Sequence, residues 1–575
     1  MTEPVDERTE TINVIETDVA NCMDCYRCVR ACPVKAIRVT GGSAQVESSM
    51  CIQCGTCVHE CPQHAKLIHD SLESVKALIA SGARVVASIA PSFPAVFPDW
   101  KSRRIPAALR SLGFRYVSET ADGAEAISQE SLKHLEKGSI FTACPAVVSY
   151  VEKERPEHLR RLVTVASPMI GHARMLRERL GDDIKIVFIG PCAAKKQEIL
   201  RPENEGNVQE VLTFTELCRW FDEAHVDLSL LPESDFDGEG GYDTARLFPL
   251  EGGMLKTCGL DADAGTDDIV HPCGPHAVID LLDLPPSEWT FRVAEPLFCH
   301  GGCIGGPGFP EDSNLYGRRK AVLNYAKDKA LGRPAKDENP VDLSVAFERR
   351  RKALALDQVS DAEIERILAE TGKASESERL NCGACGYNSC REKAAAVALG
   401  MAEASMCIPQ MRRLAERKID QIIELSPVGV VVLNEDMHIV HMNPAFREMF
   451  LCTDRVIGRQ ISYLVPADSY EQVAAGDEDH AESVRTKYGK RYHEIVYQAE
   501  DKRQFIGFYL NLSKIKLDKN QMSLLREQTV NQAKELLEHQ LDFAQNLAQY
   551  LGESTAESEA LVKRMIDLFD ESDNE

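Results

Sequence analysis

Short apolar runs alternate with amphipathic segments through the first half of the chain. Three β-branched runs predict buried strands, at Arg84 to Ala90, Leu162 to Ala166 and Ile184 to Ile189, because a continuous apolar run of this length suits a strand covered on both faces. Segments with helical periodicity, such as Ala173 to Leu180, lie between them. This alternation predicts an α/β domain, which we place at residues 75–330.

The second half of the chain has a different pattern. A charged stretch with helical periodicity predicts a linker plus helix at 331–375. In 420–513, two apolar strands joined by a polar turn precede a helix. The segment 514–572 has a three-four apolar repeat, which predicts a short coiled-coil seam or a helix packed on its own domain, at Val530, Ala533, Leu537, Leu541, Ala544, Ala548 and Leu551.

Composition narrows the class of protein. The 575 residues are enough for several domains, and 44% hydrophobic residues can supply their cores. A formal net charge of −24 disfavours nucleic acid or an anionic membrane as a partner. The acidic N-terminus lacks the apolar core of an export signal, and no apolar run is long enough to cross a bilayer, so we expect a cytoplasmic protein.

Twenty cysteines then change the picture. In a reducing compartment they indicate metal thiolates rather than disulfides. The run Cys22-Met-Asp-Cys-Tyr-Arg-Cys-Val-Arg-Ala-Cys-Pro33 recurs from Cys51 to Pro62, which is a duplicated bacterial ferredoxin pattern at 14–70. Three thiols of each run and the fourth of the other predict two 4Fe-4S clusters, held by Cys22, Cys25, Cys28 and Cys61, and by Cys51, Cys54, Cys57 and Cys32. Zinc is disfavoured because zinc ribbons pair two short knuckles instead.

A further thiol set lies in 376–412, with members at Cys382, Cys385, Cys390 and Cys407. Three clustered thiols and one returning after an Ala-rich helix suit another 4Fe-4S cluster, and the block resembles the small cluster-binding domain of corrinoid iron-sulfur proteins. Tetrahedral zinc stays open here, since four thiolates satisfy it too. Cys218, Cys258 and Cys273 belong to no set and are interpreted as buried thiols.

Three separated stretches carry the most specific pattern. They read Phe141-Thr-Ala-Cys-Pro145, Ile189-Gly-Pro-Cys-Ala-Ala-Lys-Lys-Gln-Glu198 and Phe298-Cys-His-Gly-Gly-Cys-Ile-Gly-Gly-Pro-Gly308. In order and type they resemble the signatures of the FeFe-hydrogenases, whose H-cluster joins a 4Fe-4S cube to a two-iron unit carrying carbon monoxide and cyanide. The resemblance implies that the cube is held by Cys144, Cys192, Cys299 and Cys303. It also implies that Cys303 bridges to the two-iron unit and that Lys195 donates to a cyanide.

All three stretches depart from the family pattern, the third by Phe298 and His300 in place of the usual Glu and Pro. Ala143 stands where catalytic members have a proton-relaying cysteine, and a methyl group cannot carry protons. Gly190 replaces the usual methionine. Glu130 and His172 are candidates for another proton path, with a surface or capping role as the alternative.

The hairpin and helix of 420–513 resemble the opening of a PAS sensor domain, including Asn443 after the second strand. The chain is thus predicted to be a multidomain α/β and α+β protein that resembles the sensory subgroup of the FeFe-hydrogenases. That resemblance implies slow turnover of dihydrogen and protons, with signalling to a separate output protein. A ferredoxin-like redox partner and a homodimer are also expected, and the sequence identifies no PAS ligand. A metabolic hydrogenase and a non-catalytic iron-sulfur scaffold remain alternatives.

Overall fold

The computed structural model forms two compact units, Met1–Arg412 and Arg413–Glu575. The residues that it describes are 13–238, 244–260, 268–310, 314–327, 341–350, 359–476, 480–499 and 504–514.

The N-terminal domain is built from two short antiparallel strand pairs, β1 with β4 and β2 with β3. Each cysteine run leads into a short helix that starts after a left-handed residue, Tyr26 at φ 58° and Gly55 at φ 77°. The two runs therefore fold alike, as the duplication predicts. The elements are β1 (Ile15–Thr17), α1 (Arg27–Ala31), β2 (Ile37–Thr40), β3 (Ser43–Val46), α2 (Thr56–His59) and β4 (Lys66–Ile68).

The central domain confirms the predicted α/β class. A parallel sheet of order β6-β5-β8-β9 forms its core, and a second parallel sheet has the order β10-β11-β7. The strands are β5 (Val85–Ile89), β6 (Tyr116–Glu119), β7 (Ser139–Ile140), β8 (Lys185–Ile189), β9 (Glu210–Leu212), β10 (Ile269–Val270) and β11 (Val293–Ala294). The helices are α3 (Leu72–Ala80), α4 (Ile105–Ser111), α5 (Ala121–Lys133), α6 (Pro145–Glu154), α7 (Pro168–Leu180), α8 (Ala193–Glu198), α9 (Phe214–Glu223), α10 (Gly253–Thr257), α11 (Pro275–Leu282) and α12 (Leu315–Ala326).

Two expectations for this domain are corrected. The run Leu162 to Ala166 is not a regular strand, because it makes only single bridges, from Leu162 to Ile140 and from Val165 to Ser344. Helix α7 starts at Pro168, five residues before the predicted segment, because Ser167 caps it by accepting from the Ile170 amide.

Part of the predicted linker belongs to the central domain. In the segment 341–350, Leu343 is buried and the Val345 amide donates to the Thr164 carbonyl at 3.2 Å. The Arg350 guanidinium contacts the buried Glu152 carboxylate at 3.3 Å. These ten residues pack as a strap on the domain, so they are not a free connection.

The region after this strap is a small helical module, with α13 (Asp361–Glu370) and α14 (Cys390–Ala398). It packs on the N-terminal domain, where the Val39 amide donates to the Met401 carbonyl at 2.9 Å. The Gly41 amide likewise donates to the Glu403 carboxylate at 2.7 Å.

Helix α15 (Ile408–Leu425) starts immediately after Cys407 and runs into the second unit. That unit is a five-stranded antiparallel sheet of order β13-β12-β16-β15-β14. Asn443 ends the hairpin as predicted: its side chain accepts from the amides of Val430 and Phe446. The elements are β12 (Gly429–Asn434), β13 (Ile439–Met442), α16 (Pro444–Phe450), α17 (Asp468–Ala475), β14 (His480–Lys487), β15 (Lys490–Gln498) and β16 (Gln504–Asn511).

The predicted seam from Val530 to Leu551 lies outside the described residues. Within the described part of the chain, no helix combines the length and the apolar character needed to cross a membrane.

Candidate active site

Four cysteines from the three signature stretches line one cavity: Cys144, Cys192, Cys299 and Cys303. Each stretch follows a strand of a parallel sheet, β7, β8 or β11, and the carboxyl ends of such strands commonly carry ligand sites. The lining is otherwise largely apolar. Residues far apart in sequence thus meet at one place, while their role as ligands stays a prediction.

The four thiols lie within range of one another's charge. The pKa of Cys299 is raised well above its ordinary value by burial and by the nearby Cys192, Cys144 and Cys303. Burial likewise raises the pKa of Cys192 to about 11. Thiols whose pKa is raised in this way, such as Cys192 and Cys299, keep their protons unless a metal centre coordinates them, so the set suits a centre that stabilises thiolates by direct coordination.

The loop after β11 is hydrogen-bonded to the thiol of Cys273, which lies outside the predicted set. The Cys273 Sγ accepts from the Gly302 amide at 3.0 Å and donates to the Cys299 carbonyl at 3.1 Å. Gly302 has φ 85°, and a Cβ there would lie 2.4 Å from the Pro249 carbonyl oxygen. Cys273 therefore fixes the loop that carries two of the four cysteines, more than the simple buried thiol we expected.

Lys195 lines the cavity as an ammonium held in place by two groups. Its Nζ donates to Glu198 at 3.2 Å and to the Ser167 hydroxyl at 3.3 Å. Burial alone would lower the pKa of Lys195, but the Glu198 carboxylate and the thiols of Cys192 and Cys303 outweigh it and leave the pKa above its ordinary value. The side chain is charged and directed to the cavity, as a donor to an anionic ligand must be.

Ala143 also lines the cavity, next to Cys144. Neither candidate for a substitute proton path does so. Glu130 lies on the outer face of α5, paired with Lys133 at 2.6 Å and with His134 at 3.2 Å. The expected role of Glu130 is therefore corrected to that of a surface ion pair.

His172 is buried rather than on the surface. Its Nδ1 lies 2.8 Å from the Ser88 hydroxyl and its Nε2 lies 3.3 Å from the Ser118 hydroxyl. Burial and the nearby Arg179 lower the pKa of His172 to about 3. It is a neutral group joining α7 to the central sheet, and it does not line the cavity.

Two polar groups of the cavity were missed by the sequence analysis. The Ser92 hydroxyl is buried and has no hydrogen-bond partner among the described residues. The Glu295 carboxylate accepts from the amides of Met254 and Leu255 at 3.1 and 3.0 Å, and burial raises its pKa to about 7. An Ala-Pro-Ser turn after β5 and a glutamate four residues before Cys299 were the signals available.

The glycine at position 190 is explained by its neighbours. A Cβ there would lie 2.7 Å from the Phe188 ring and 3.0 Å from the Ala90 methyl group. Phe188 itself lines the cavity, and the Lys195 Nζ lies 5.5 Å from its ring centroid. An aromatic ring thus takes up space beside the site that a longer residue at 190 would need.

The N-terminal thiols gather in the two predicted sets and approach the cavity. Cys28 interacts with Cys25, Cys22 and Cys61, and Cys57 interacts with Cys51, Cys32 and Cys54. Cys54 of the second set also interacts with Cys144 and Cys299. The second set is therefore the one adjacent to the cavity.

Direct contacts join the N-terminal domain to the loop after β11. The His59 Nε2 lies 3.1 Å from the Gly305 carbonyl oxygen. Gly55 packs on Pro307 so closely that a Cβ would lie 2.3 Å from the Pro307 Cγ. The Lys153 ammonium of α6 donates to the Cys51 carbonyl at 2.8 Å.

The small module brings three of its four predicted thiols together. Lys373, which donates to the Cys407 Sγ at 3.0 Å, interacts with Cys390 and Cys385 as well. Among the described residues, no three His, Cys, Asp or Glu side chains gather at the spacing of a single metal ion.

Family profiles match four parts of the chain. Residues 83–307 match the C-terminal domain of the iron only hydrogenase large subunit, and residues 14–62 match a 4Fe-4S dicluster domain. Residues 378–409 match an Fe-S cluster domain and residues 417–484 a PAS domain. The predicted hydrogenase, 4Fe-4S and PAS domain types are therefore confirmed.

Individual relatives are distant. The NADP-reducing hydrogenase subunit HndD of Solidesulfovibrio fructosivorans is 28% identical over 299 residues, 41% of this chain and 51% of its own length. The chain thus spans about half of that relative. The cytosolic Fe-S cluster assembly factor NAR1 of Vanderwaltozyma polyspora is 35% identical over 121 residues, 20% of this chain and 22% of its own. The FeFe-hydrogenase HydA1 of Chlamydomonas reinhardtii aligns with 49% of this chain and 100% of its own at 18% identity and a TM-score of 0.38.

Proposed function

The chain combines an iron-only hydrogenase domain with 4Fe-4S cluster domains and a PAS domain, and on this premise we propose that it is a hydrogen or redox sensor of the hydrogenase type. The observation that carries the proposal is the convergence of four cysteines on one apolar cavity that Lys195 and Ser92 also line. When bound there, the H-cluster would supply the reversible splitting of dihydrogen into protons and electrons.

Different cavity residues would hold different parts of the H-cluster. Cys144, Cys192, Cys299 and Cys303 would anchor the cube, with Cys303 as the bridge to the two-iron unit. Lys195, fixed by Glu198, would donate to a cyanide. The unpartnered Ser92 hydroxyl adds a second donor in the same cavity, and an unsatisfied buried hydroxyl is costly unless a ligand accepts from it.

Slow turnover follows from Ala143, because the methyl group beside Cys144 removes the thiol that relays protons in catalytic members. Because a PAS domain follows, the site would serve to signal whether it is occupied or reduced. It would not serve bulk hydrogen metabolism. Such reporting requires that the state of the site favour one arrangement of the following segments over another.

Electrons would travel through three clusters, two in the N-terminal domain and one in the small module. The proximity of Cys54 to Cys144 and Cys299 supports the first step. A ferredoxin-like protein would be the redox partner, and a separate protein would receive the signal.

We also propose a cytoplasmic location, which suits reduced thiols. We further propose that the chain forms a homodimer through residues 530–551. Deletion of these residues should give monomers by sedimentation.

Infrared spectroscopy tests the proposal directly. The full chain matured with the two-iron precursor should show carbonyl and cyanide bands that shift under dihydrogen, and Cys303→Ala should lose them. If properly matured protein shows no such bands, the chain is not a hydrogenase of either the sensory or the metabolic kind.

The NAR1 similarity favours a second candidate, a non-catalytic iron-sulfur scaffold. Lys195 and Ser92 distinguish the two, because a site that holds only a cube has no cyanide for them to contact. Normal 4Fe-4S content without carbonyl or cyanide bands would support the scaffold. Strong bands, high turnover and a downstream readout unaffected by deletion of the PAS domain would instead indicate a metabolic hydrogenase.

A further inference from the structure

The small helical module buries two lysines next to its thiols. Lys373 and Lys393 are 4% and 2% exposed. The Lys373 Nζ donates to the Cys407 Sγ at 3.0 Å, and the Lys393 Nζ donates to the Ala404 carbonyl at 2.7 Å. Both ammonium groups are close enough to Cys407 to interact with its charge.

The local fold leaves these lysines little choice of position. Lys373 follows the end of α13, where its amide donates to the Leu368 carbonyl at 2.8 Å. Lys393 lies within α14 and is one of its buried residues, next to Ala394. Among the described residues, neither ammonium has a carboxylate at ion-pair distance; the charged groups that interact with them are the thiols and each other.

Two neighbouring buried cations without a carboxylate are unfavourable unless an anion lies between them. The groups that could supply the negative charge are Cys407, Cys385 and Cys390, which interact with both lysines. The lysines therefore indicate a site built for an anionic thiolate assembly, and one that gains stability as its negative charge grows.

The lysines near the N-terminal thiols have a different geometry. Lys66 donates to the Thr17 hydroxyl and the Ala44 carbonyl. Lys35 donates to the carbonyls of Val29 and Arg30, and Lys153 donates to that of Cys51. In the part of the chain that the structure describes, a lysine hydrogen bond to a cluster-type sulfur is found at Cys407.

We propose that Lys373 and Lys393 raise the reduction potential of the cluster held by Cys382, Cys385, Cys390 and Cys407, so that an electron comes to rest there in preference to the N-terminal clusters. Reduction by one electron adds one negative charge to a 4Fe-4S cluster. A nearby cation and an N–H donor to sulfur stabilise the more negative state. The inference rests on the proposed function only for the source of the electrons.

The electron balance is simple. Oxidation of one dihydrogen gives two protons, which pass to solvent, and two electrons. One electron would reduce the cluster held by the module thiols and the second would reduce a cluster held by the N-terminal thiols, each acting as a one-electron acceptor. Because α15 begins directly after Cys407, the retained charge lies at the start of the helix that leads to the PAS domain.

A buried aromatic residue supports transfer to this module. Tyr387 is 2% exposed, belongs to the same buried core as Cys32 and interacts with both Cys32 and Cys385. Gly386 packs on Val29 so closely that a Cβ would lie 2.7 Å from a Val29 methyl group. Tyr387 therefore lies between Cys385 of the module and Cys32 of the second N-terminal set, which is the set next to the cavity.

A redox titration monitored by electron paramagnetic resonance tests the proposal on the full chain with its 4Fe-4S clusters reconstituted. The module signal is identified by its loss in Cys385→Ala. In the parent protein it should appear at a higher potential than the N-terminal signals. Lys373→Met and Lys393→Met should each shift it to lower potential, and Lys373→Arg, which keeps the charge and the donor, should restore most of the shift.

Arg366→Met is the matched control, because it removes one positive charge from α13 of the same module at an exposed ion pair with Glu363 and Glu370. Its module signal should stay at the parent potential. Equal midpoints in the parent and both lysine variants, or a module signal that appears only after the N-terminal signals, would overturn the proposal.

If Lys373→Met does not retain the cluster, Lys393→Met and Lys373→Arg still test the proposal. Lys393→Met removes a charge without removing the hydrogen bond to the Cys407 Sγ. The titration uses chemical reductants rather than dihydrogen. Failure of the proposed function, seen as missing carbonyl and cyanide bands, therefore leaves this measurement intact.

Discussion

Ala143 places a methyl group beside Cys144 in the cavity, where a proton carrier would be needed for fast chemistry. We expect Ala143→Cys to raise hydrogen turnover of the matured protein, on the order of 10²-fold, because a positioned proton relay contributes that much. Turnover is measured as hydrogen evolution from reduced methyl viologen.

Ala90→Cys is the control for this substitution, since Ala90 lines the same cavity on another stretch. It adds a thiol without restoring the relay position and should leave turnover low. Equal rates for the parent and Ala143→Cys proteins, at equal cluster content, would mean that the missing thiol does not limit the reaction.

His172 gives the fold a dependence on pH. Its folded-state pKa of about 3 lies below the ordinary value, so between about pH 6.5 and 3 the unfolded chain binds a proton that the folded chain does not. The stabilising contribution is complete above pH 6.5 and is lost as pH falls, by about 1.4 kcal/mol per pH unit. Unfolding by urea at pH 7 and pH 5 should show a loss smaller by about 2 kcal/mol in His172→Gln.

His134→Gln, at an exposed histidine, serves as the control for that measurement. It should lose as much stability as the parent protein between the two pH values. An unchanged pH dependence in His172→Gln would show that this imidazole is not the group responsible.

Residue types at fixed spacing were enough to predict the cysteines of the cavity and the pairing of the two N-terminal sets. Ser92, Glu295 and Cys273 could not be found in this way. Ser92 is notable because its hydroxyl has no partner among the described residues, Glu295 because it is buried, and Cys273 because it is hydrogen-bonded to the loop after β11. All three are properties of the folded chain. Glu130 failed for the same reason, because its neighbourhood along the helix does not reveal which face points to the cavity.

At the scale of secondary-structure elements, α8 and α9 are joined through a buried charge pair. The Lys196 Nζ contacts the Glu216 carboxylate at 3.0 Å, with side chains 4% and 8% exposed. The same carboxylate accepts from the amides of Ser71 and Thr213, and so ties α3 to both helices. Since α8 begins directly after Cys192, this network supports one of the cavity walls.

Glu216→Ala should lower the free energy of unfolding by about 3–5 kcal/mol, because it leaves the Lys196 ammonium buried without its counter-charge. Urea unfolding followed by tryptophan fluorescence is a suitable measurement, since Trp220 lies on the same helix. Glu223→Ala removes an exposed partner of Lys76 from that helix and should change the stability by no more than about 0.5 kcal/mol. Similar losses for the two variants would refute the burial argument.

Element types were predicted well where the pattern was long and failed where tertiary contacts decide. Strands β5 and β8 follow their apolar runs closely. The run Leu162 to Ala166 is equally apolar, yet it is buried beside loops and bridges only at single residues. Residues 341–350 are too polar for their sequence to predict that they pack on the domain.

At the scale of the whole molecule, the thiol sets form a sequence from the cavity through the second N-terminal set to the small module. We expect Cys57→Ala to slow reduction of the module cluster by dihydrogen at least about tenfold, because it removes the intermediate cluster. Freeze-quench paramagnetic resonance under dihydrogen measures the rate.

Cys25→Ala, in the first N-terminal set, is the matched control and should leave that rate close to the parent value. Reduction of the module cluster by dithionite should persist in both variants, which verifies that the cluster is present. Equal slowing by the two substitutions would indicate that electrons reach the module by way of the first set.

The close packing of Gly55 on Pro307 has a consequence for how such proteins can be recombined. A side chain of any size at the first position would push the N-terminal domain off the loop that carries Cys303. Domain-swap chimaeras should therefore assemble only when donor and recipient agree at both positions, so the two modules behave as a matched pair and not as interchangeable parts.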